Sequence, residues 1–193
     1  DTDTAILTHS NGSMAYGEIS DYFYNDENGA YWPYSVCRFP FTSIRLGGSL
    51  VVRLQGSNAL LLEAVSGDLI LGANLRADGG ASNLENGGVS MLGGFAGVNS
   101  GELSGNGPGA PSYTASVGHG AAYGSHGSGE SKSYGEPSLS SLLGGSAGGS
   151  SNTEGSGSGG GAIALKASSE IIIEANVLIL SLIHISEPTR QSK

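Results

Sequence analysis

Apolar and polar residues alternate in short runs over residues 44–78 of this chain. One face of each run carries the apolar side chains: Leu50, Val52 and Leu54, then Leu60, Leu62 and Ala64, then Leu69 and Leu71. Gly-Ser and Gly-Asp steps separate the runs, and a period of two between such steps predicts short β-strands. Residues 1–43 are rich in aromatic residues, and no segment keeps the period of a helix. The pattern therefore predicts an all-β chain.

The strand pattern of residues 59–75 occurs again at residues 162–177, with one gap after Ser169. Identical residues occupy these aligned positions: Ala59 and Ala162, Leu62 and Leu165, Ala64 and Ala167, Ser66 and Ser169, Ile70 and Ile172, Ala73 and Ala175, Asn74 and Asn176. Glu63, interpreted as an exposed outward residue, aligns with Lys166. We expect the two asparagines in turns, because asparagine tolerates left-handed backbone. The chain therefore contains an internal repeat.

Glycine and serine dominate the region between the two copies. It lacks the strict Gly-X-Y order of collagen. Two arrangements stay open: a disordered loop, or polyproline II segments that pack closely because glycine has no side chain. Apolar residues within the region favour partial order and are expected to anchor it: Leu92, Phe95, Tyr123, Tyr134, Leu139, Leu142 and Leu143.

These patterns divide the chain into five segments: 1–43, aromatic-rich strands or a cap; 44–78, strands of a β-solenoid; 79–161, a glycine-rich excursion; 162–180, solenoid strands of a second repeat; and 181–193, a tail. Evenly spaced short strands are typical of a sandwich, a barrel or a stacked solenoid.

Four stretches, in this order, carry a resemblance: "GSNALLLEAVSGDLILGANLRADGG", "GGFAG", "SYGEPSLSSLLGGSAGG" and "GSGGGAIALKAS". Together they resemble a glycine-rich repeat family of very long secreted or cell-surface proteins. In that family a Tyr-Gly step leads to a Leu-Leu-Gly-Gly-Ser run and then to Gly-Gly-Gly-Ala-Ile and paired strands. The resemblance covers residues 44–179. It implies a parallel β-helix or solenoid with glycine-rich excursions, and an extracellular structural or adhesive role.

The end of the chain breaks the repeat. After Asn74 the first copy enters glycine-rich sequence, whereas Asn176 is followed by "VLILSLIHISEPTRQSK". The segment "SLIHISEPTRQSK", residues 181–193, resembles a translated sequencing-adapter tail. We therefore interpret the tail as non-native, and the chain as a fragment of a longer protein.

Composition narrows the function classes. The chain has 34 glycines, 13% charged residues and a formal net charge of −9. It has no cluster of basic residues, which argues against a nucleic-acid partner, and no apolar run long enough for membrane insertion. The single cysteine, Cys37, has no partner within the chain. It is expected to be a buried free thiol, with pairing outside the fragment as the alternative.

Sequence motifs give no catalytic, cofactor-binding or metal-binding residue. Residues 144–148 match G-x-S-x-G around Ser146, but glycine-rich sequence follows where a nucleophile elbow needs a helix. Gly155, Gly157 and Gly160 match G-x-G-x-x-G, but they precede a strand instead of following one.

The remaining candidates are polar residues without a defined spacing. The four histidines lack the spacing of metal ligands: His9, His119, His126 and His184. Asp26 and Glu27 in "YNDENG" favour a solvated turn over a calcium loop. Asn11 begins an Asn-Gly-Ser glycosylation sequon. No motif selects a catalytic pair among the carboxylates Asp21, Asp26, Glu63 and Asp68.

The aromatic residues allow two readings. Tyr24, Tyr31, Trp32 and Tyr34 either pack as core or cap, or present flat faces to sugar rings. The leading hypothesis is a structural or adhesive module, not an enzyme, whose partners are neighbouring repeats of the same longer chain and possible glycans or matrix proteins. A polysaccharide-binding or polysaccharide-active β-helix protein is the alternative. An ice-binding face would need a Thr-x-Thr array, which the sequence lacks.

Overall fold

The computed structural model describes residues 1–26, 29–48, 50–83, 85–102, 104–111, 121–123, 132–135 and 141–180. Within these ranges the chain forms β-strands and no helix, which confirms the all-β prediction. In chain order the strands are β1 (Ile6–Thr8), β2 (Met14–Tyr16), β3 (Glu18–Asn25), β4 (Tyr31–Phe41), β5 (Ile44–Leu46), β6 (Ala59–Ala64), β7 (Leu69–Leu71), β8 (Leu75–Arg76), β9 (Ile163–Ala167), β10 (Ile171–Ile173) and β11 (Ile179–Leu180).

The largest sheet has the strand order β3-β4-β6-β9. Strand β3 is antiparallel to β4, whereas β4, β6 and β9 run parallel. Two smaller sheets are parallel, with the orders β10-β7-β5 and β11-β8, and β1 pairs antiparallel with β2. Parallel and antiparallel pairing therefore occur side by side.

The prediction of a parallel β-helix or solenoid is wrong. The sheets hold two to four strands, and none that the structure describes closes or continues as a solenoid. Alternation marks a strand, but it does not distinguish parallel from antiparallel pairing. In the aromatic-rich segment a turn reverses the chain: the Gly29 N–H donates to the Asp26 carbonyl oxygen at 3.0 Å. Gly29 has a φ of 79°, which favours glycine.

Most of the hydrophobic core lies between the four-stranded sheet and the smaller parallel sheets. Its buried residues include these: Cys37, Phe39, Ile44, Leu60, Leu62, Leu69, Leu71 and Leu75. The predicted inward alternation of Leu60, Leu62 and Ala64 is confirmed, since all three side chains are buried. Residues 50–55, predicted as a strand, form none. Val52 and Leu54 in this segment still pack against the core.

The two copies of the repeat lie side by side. Leu60 pairs with Ile163 and Leu62 with Leu165, in the same register as the sequence alignment. Strands β7 and β10 also pair in the aligned register. The third pair differs, because Leu75 lies opposite Ile179 instead of Val177.

A turn at Asn176 accounts for the two-residue shift in this third strand pair. Asn176 has a φ of 67°, so the second copy turns there through left-handed backbone, as predicted for this residue. The side chain of Asn74 has a different role: its Oδ1 accepts a hydrogen bond from the Leu178 N–H at 2.8 Å. The turn inserts two extra residues before β11, which an alignment by residue type does not register.

Segments of the glycine-rich region pack directly on one another without forming strands. The Phe95 N–H donates to the Gly145 carbonyl at 3.0 Å, the Gly145 N–H to Gly160 at 2.7 Å, and the Gly159 N–H to Phe95 at 2.9 Å. A Cβ at Gly159 would overlap the Gly145 carbonyl group. The described residues therefore form a hydrogen-bonded packed arrangement, whereas polyproline II conformation stays a prediction.

Apolar anchors and buried serines hold this region in place. Leu92, Tyr134 and Leu143 are buried as predicted, and Leu139 lies outside the described residues. The Tyr134 hydroxyl donates to the Gly144 carbonyl oxygen at 2.6 Å. The Ser158 hydroxyl is equally satisfied, because it accepts from the Gly80 N–H at 2.6 Å and donates to the Val89 carbonyl at 2.9 Å.

Gly159→Ala tests the packing of the glycine-rich region. We expect a loss of about 1–3 kcal/mol in the free energy of unfolding, because the added methyl group forces neighbouring backbone apart. Gly47→Ala is the matched control, since a Cβ at Gly47 meets no atom within 4 Å. Its effect should be within about 0.5 kcal/mol. Urea unfolding measures the free energy of unfolding of both variants. Equal losses of stability in the two variants would contradict the packed arrangement.

Candidate functional site

Strands β9, β10 and β11 each end their sheet, so they leave one side unpaired among the described strands. They belong to the second copy of the repeat and expose a group of apolar side chains: Ile171, Ile172, Ile173, Leu178 and Ile179. We call these three strands and five side chains the β9–β11 edge. An exposed apolar strand edge is a template for pairing with another strand, and soluble proteins ordinarily protect such edges.

The first copy shows what covers such strands. Leu69 and Leu71 are 0% exposed, whereas their partners Ile171 and Ile173 are 46% and 52% exposed. Strand β7 has a neighbour on both sides, β5 and β10, but β10 has a described neighbour on one side only. Equivalent sequence positions of similar residue type therefore differ in burial where β10 has one described neighbour and β7 has two.

A row of alternating charges crosses the four-stranded sheet and ends at this edge. Its members are Glu18 on β3, Arg38 on β4, Glu63 on β6 and Lys166 on β9. Arg38 Nη1 lies 3.2 Å from Glu18 Oε2, and Arg38 Nε lies 2.5 Å from Glu63 Oε2. Lys166 Nζ lies 2.7 Å from Glu63 Oε1. Both oxygens of Glu63 are therefore paired.

Glu63 is the central member of the row. Its side chain is 9% exposed, against 68% for Lys166, so the interpretation of Glu63 as an exposed residue is wrong. Hydrogen bonds from Lys166 and then from Arg38 hold the pKa of Glu63 below its ordinary value. Hydrogen bonding to Glu63 in turn raises the pKa of Arg38. The pairing links the two repeat copies by charge as well as by backbone hydrogen bonds.

The aromatic residues divide between packing and exposure. Tyr24 is buried, Trp32 packs edge-on against Phe95 with ring centroids 5.8 Å apart, and Tyr34 stacks on Tyr22 at 5.5 Å. Packing as core is thus confirmed for Tyr24, Trp32 and Tyr34. It is wrong for Tyr31, which is exposed. The described sheets form no solenoid for these residues to cap.

Phe23, which the sequence analysis did not single out, is exposed together with Tyr31, at 68% and 70%. Phe23 lies opposite Pro33, and Tyr31 lies opposite Asn25 on the same face of the hairpin. We call Phe23, Tyr31 and Pro33 the hairpin platform. The alternation of residues within β3 is the sequence signal that could have identified this surface, since Phe23 and Asn25 occupy one face and Tyr22 and Tyr24 the other.

The two motif matches lie in packed segments of the glycine-rich region. Ser146 is fully buried, and its hydroxyl accepts a hydrogen bond from the Gly109 N–H at 2.8 Å. Gly155 and Gly160 lie within the packed glycine-rich segments, where a Cβ at Gly155 would crowd Asn86 at 2.5 Å. Neither motif borders a helix in the described residues.

The polar candidates serve local turns. Asp26 accepts hydrogen bonds from the Ala30 N–H at 2.9 Å and from Trp32 Nε1 at 3.2 Å. Asn11 is exposed in a turn, where its Oδ1 accepts from the Ser13 N–H at 2.9 Å. His9 is exposed, and Nδ1 accepts from the Asn11 N–H at 3.3 Å. Glu27, His119, His126 and His184 lie outside the described residues, as does the predicted non-native tail, residues 181–193.

Cys37 is a free thiol with 0% exposure, which confirms the expectation of a buried cysteine. Burial raises the pKa of this thiol above its ordinary value. Both features oppose reaction at the sulfur. Across the described ranges, no group of three or more His, Cys, Asp or Glu side chains is placed to hold a metal ion.

No protein-family model, curated protein or solved structure matches this chain. The resemblance to the glycine-rich repeat family therefore stays a prediction. In the part of the chain that the structure describes, no helix has the length and apolar character to cross a membrane.

Glu63→Gln tests the charged row through its pH dependence. The pKa of Glu63 is lowered in the folded state, so its contribution is complete above its ordinary value of 4.5 and is lost as the pH falls through the lower folded-state value. We expect the variant to be less stable at pH 7 and to lose less stability than the native chain below pH 4.5. Thermal unfolding from pH 7 to pH 3 measures both effects.

Glu85→Gln is the matched control for that titration. Glu85 is exposed, and its side chain forms no ion pair among the described residues. A variant at Glu63 that followed the same pH profile as the Glu85 variant would refute the role of the charged row.

Proposed function

We propose that this chain is a structural module of a larger extracellular or cell-surface protein, and that its β9–β11 edge receives a further β-strand unit. The observation that carries the proposal is the difference in burial between the two repeat copies. The apolar residues of β7 are covered on both sides, whereas those of β10 are covered on one. A further strand unit on β10 would remove this difference.

The nature of the edge supports addition of strands over binding of a small molecule. A strand edge offers backbone N–H and C=O groups in a row, which another extended chain satisfies and a compact ligand does not. The first copy already accepts the second in this way, through three parallel pairs. A unit with the same spacing of apolar residues fits the exposed positions of the second copy.

Composition supports a structural role outside the cell. Charged residues are only 13% of the chain, and the glycine-rich region is packed by backbone contacts instead of lining a site with reactive groups. The resemblance to long secreted repeat proteins implies the same location and the same kind of partner. Neighbouring repeats of the longer chain are the proposed partners, with matrix proteins as further ones in an adhesive role.

Ile173→Lys tests the edge. Ile173 is 52% exposed and pairs with Leu71, which is 0% exposed between its two neighbouring strands. We expect the native chain to self-associate with rising concentration through its exposed edge, and the variant to associate at least about tenfold more weakly, because each added strand would desolvate a charge. Sedimentation velocity over a concentration series measures the association.

Val89→Lys is the control, because Val89 is also an exposed apolar residue but lies in the glycine-rich region. Native self-association that both variants weaken alike, or a native chain that stays monomeric throughout, would contradict the proposed role of the edge.

The hairpin platform supports a second candidate function, the binding of a polysaccharide. Two exposed aromatic rings share one face with Asp21, whose Oδ1 accepts a hydrogen bond from the Ser35 hydroxyl at 2.6 Å. Aromatic faces suit the C–H groups of sugar rings, and a neighbouring carboxylate suits their hydroxyl groups.

Phe23→Ala combined with Tyr31→Ala tests this second candidate. If the platform binds glycans, the double variant should lose the retardation that a native chain shows in affinity electrophoresis on a polysaccharide panel. Tyr16→Ala is the control, since Tyr16 is exposed on β2, outside the platform. Retardation that the double variant retains in full would exclude the platform as the binding surface.

A further inference from the structure

A cavity of about 550 Å³ lies beneath residues 50–55, at the β5 side of the core. We call this segment the strap and the space beneath it the strap cavity. Its volume falls within the roughly 300–1,000 Å³ of small-molecule sites. The side chains around it are mainly apolar: Leu7, Phe39, Phe41, Ile44, Leu46, Leu50, Val52, Leu54, Leu60 and Leu62.

The apolar surface reaches into the hydrophobic core. Phe39, Leu60 and Leu62 belong to the buried core cluster, and Val52 and Leu54 pack against it from the strap. These three core side chains are at most 5% exposed, so the surface that a ligand can reach comes mainly from half-buried lining residues, which include Phe41, Leu46 and Leu54. The accessible surface of the cavity is more apolar than polar, although Thr8, His9 and Ser43 are also among the lining residues. The cavity therefore suits a hydrocarbon chain.

Backbone hydrogen bonds fix the strap at its two ends. At one end the Thr2 N–H donates to the Gln55 carbonyl oxygen at 2.8 Å, and at the other the Leu50 N–H donates to Gly47 at 3.0 Å. Between these points the strap forms no strand. The cavity is partly open to solvent, so a ligand can enter it without breaking a β-sheet.

Charge distinguishes the cavity from the rest of the molecule. The chain has a formal net charge of −9, yet Arg45 and Arg53 both line this cavity. Arg45 is only loosely paired, with 3.5 Å between its Nη2 and Glu174 Oε1. Arg53 forms no ion pair with any described residue. The Asp1 carboxylate at the cavity already accepts hydrogen bonds from the Asp3 and Thr4 N–H groups.

We propose that the strap cavity binds an aliphatic carboxylate, with its hydrocarbon chain against Phe41, Leu46 and Leu54 and its carboxylate at Arg53. Guanidinium groups pair with carboxylates through two parallel hydrogen bonds, which an alcohol or a cation does not offer. The inference is independent of the role proposed for the β9–β11 edge, which lies on the other side of β7.

Isothermal titration with dodecanoate, below its micelle concentration, tests the proposal. We expect saturable binding with one site per chain, weaker binding of dodecan-1-ol, and the weakest binding of dodecyltrimethylammonium. Arg53→Gln should weaken dodecanoate by about tenfold and leave the alcohol unchanged, because only the carboxylate loses a charged partner. Arg76→Gln is the control, since Arg76 pairs with Asp78 outside the cavity.

A second variant tests the location. Val52→Phe extends an inward strap residue into the cavity, so it should abolish dodecanoate binding while the circular dichroism of the chain stays native. Unchanged affinity in a folded Val52→Phe variant would overturn the proposal. Equal binding of all three ligands, or no saturable binding by the native chain, would overturn it as well.

Discussion

The structure depends on parallel pairing between two strand sets that are far apart in the chain. Strand β6 meets β9, and β7 meets β10, across a separation of about 100 residues. Parallel strands need a crossover connection, which is a helix in most proteins. Here the crossover is the glycine-rich region. Its ordering opposes folding, since glycine loses more backbone freedom than any other residue. The crossover therefore has to be held by its own contacts.

Backbone contacts supply that stabilisation. Gly145 and Gly159 bring their segments so close that no side chain fits between them. Short distances allow hydrogen bonds between segments, and Ser158 satisfies backbone groups that have no strand partner. Tyr134 and Leu143 then attach the packed segments to the aromatic hairpin. Glycine is thus a requirement of the packing here, whereas in a flexible linker it would serve mobility.

The sequence was sufficient for features that depend on local pattern. Alternation located β6 and β7, and the alignment of the two copies located the equivalent strands β9 and β10, which pair with them in the aligned register. Features that depend on distant partners were missed. Nothing local to Glu63 shows that Arg38 will bury it from another strand. Nothing in the alternation of residues 50–55 shows that they will form a strap without a β-partner.

The candidate site illustrates the same limit. The sequence indicated a structural module and offered aromatic residues as an alternative surface, but it did not distinguish the exposed Tyr31 from the buried Tyr24. The face of the hairpin on which each ring lies decides that difference. One face packs against Tyr134 and Leu143, and the other faces away from them. The exposure of β10 could not be predicted from the sequence either, because its residues are apolar like those of the buried β7.

Strand β7 separates two unlike ends of the molecule. On one side lie the exposed isoleucines of β10, and on the other side β5 borders the strap cavity. A strand edge selects its partner by backbone spacing and apolar pattern, whereas a cavity selects by volume and charge. The charged row adds to the selection of a partner strand, because it restricts the register in which the strands pair. Because Glu63 is satisfied only when Arg38 and Lys166 lie on either side, a one-residue slip of β9 would leave a buried carboxylate without its lysine. Register between the copies is therefore fixed by charge, and the exposed edge inherits that fixed geometry.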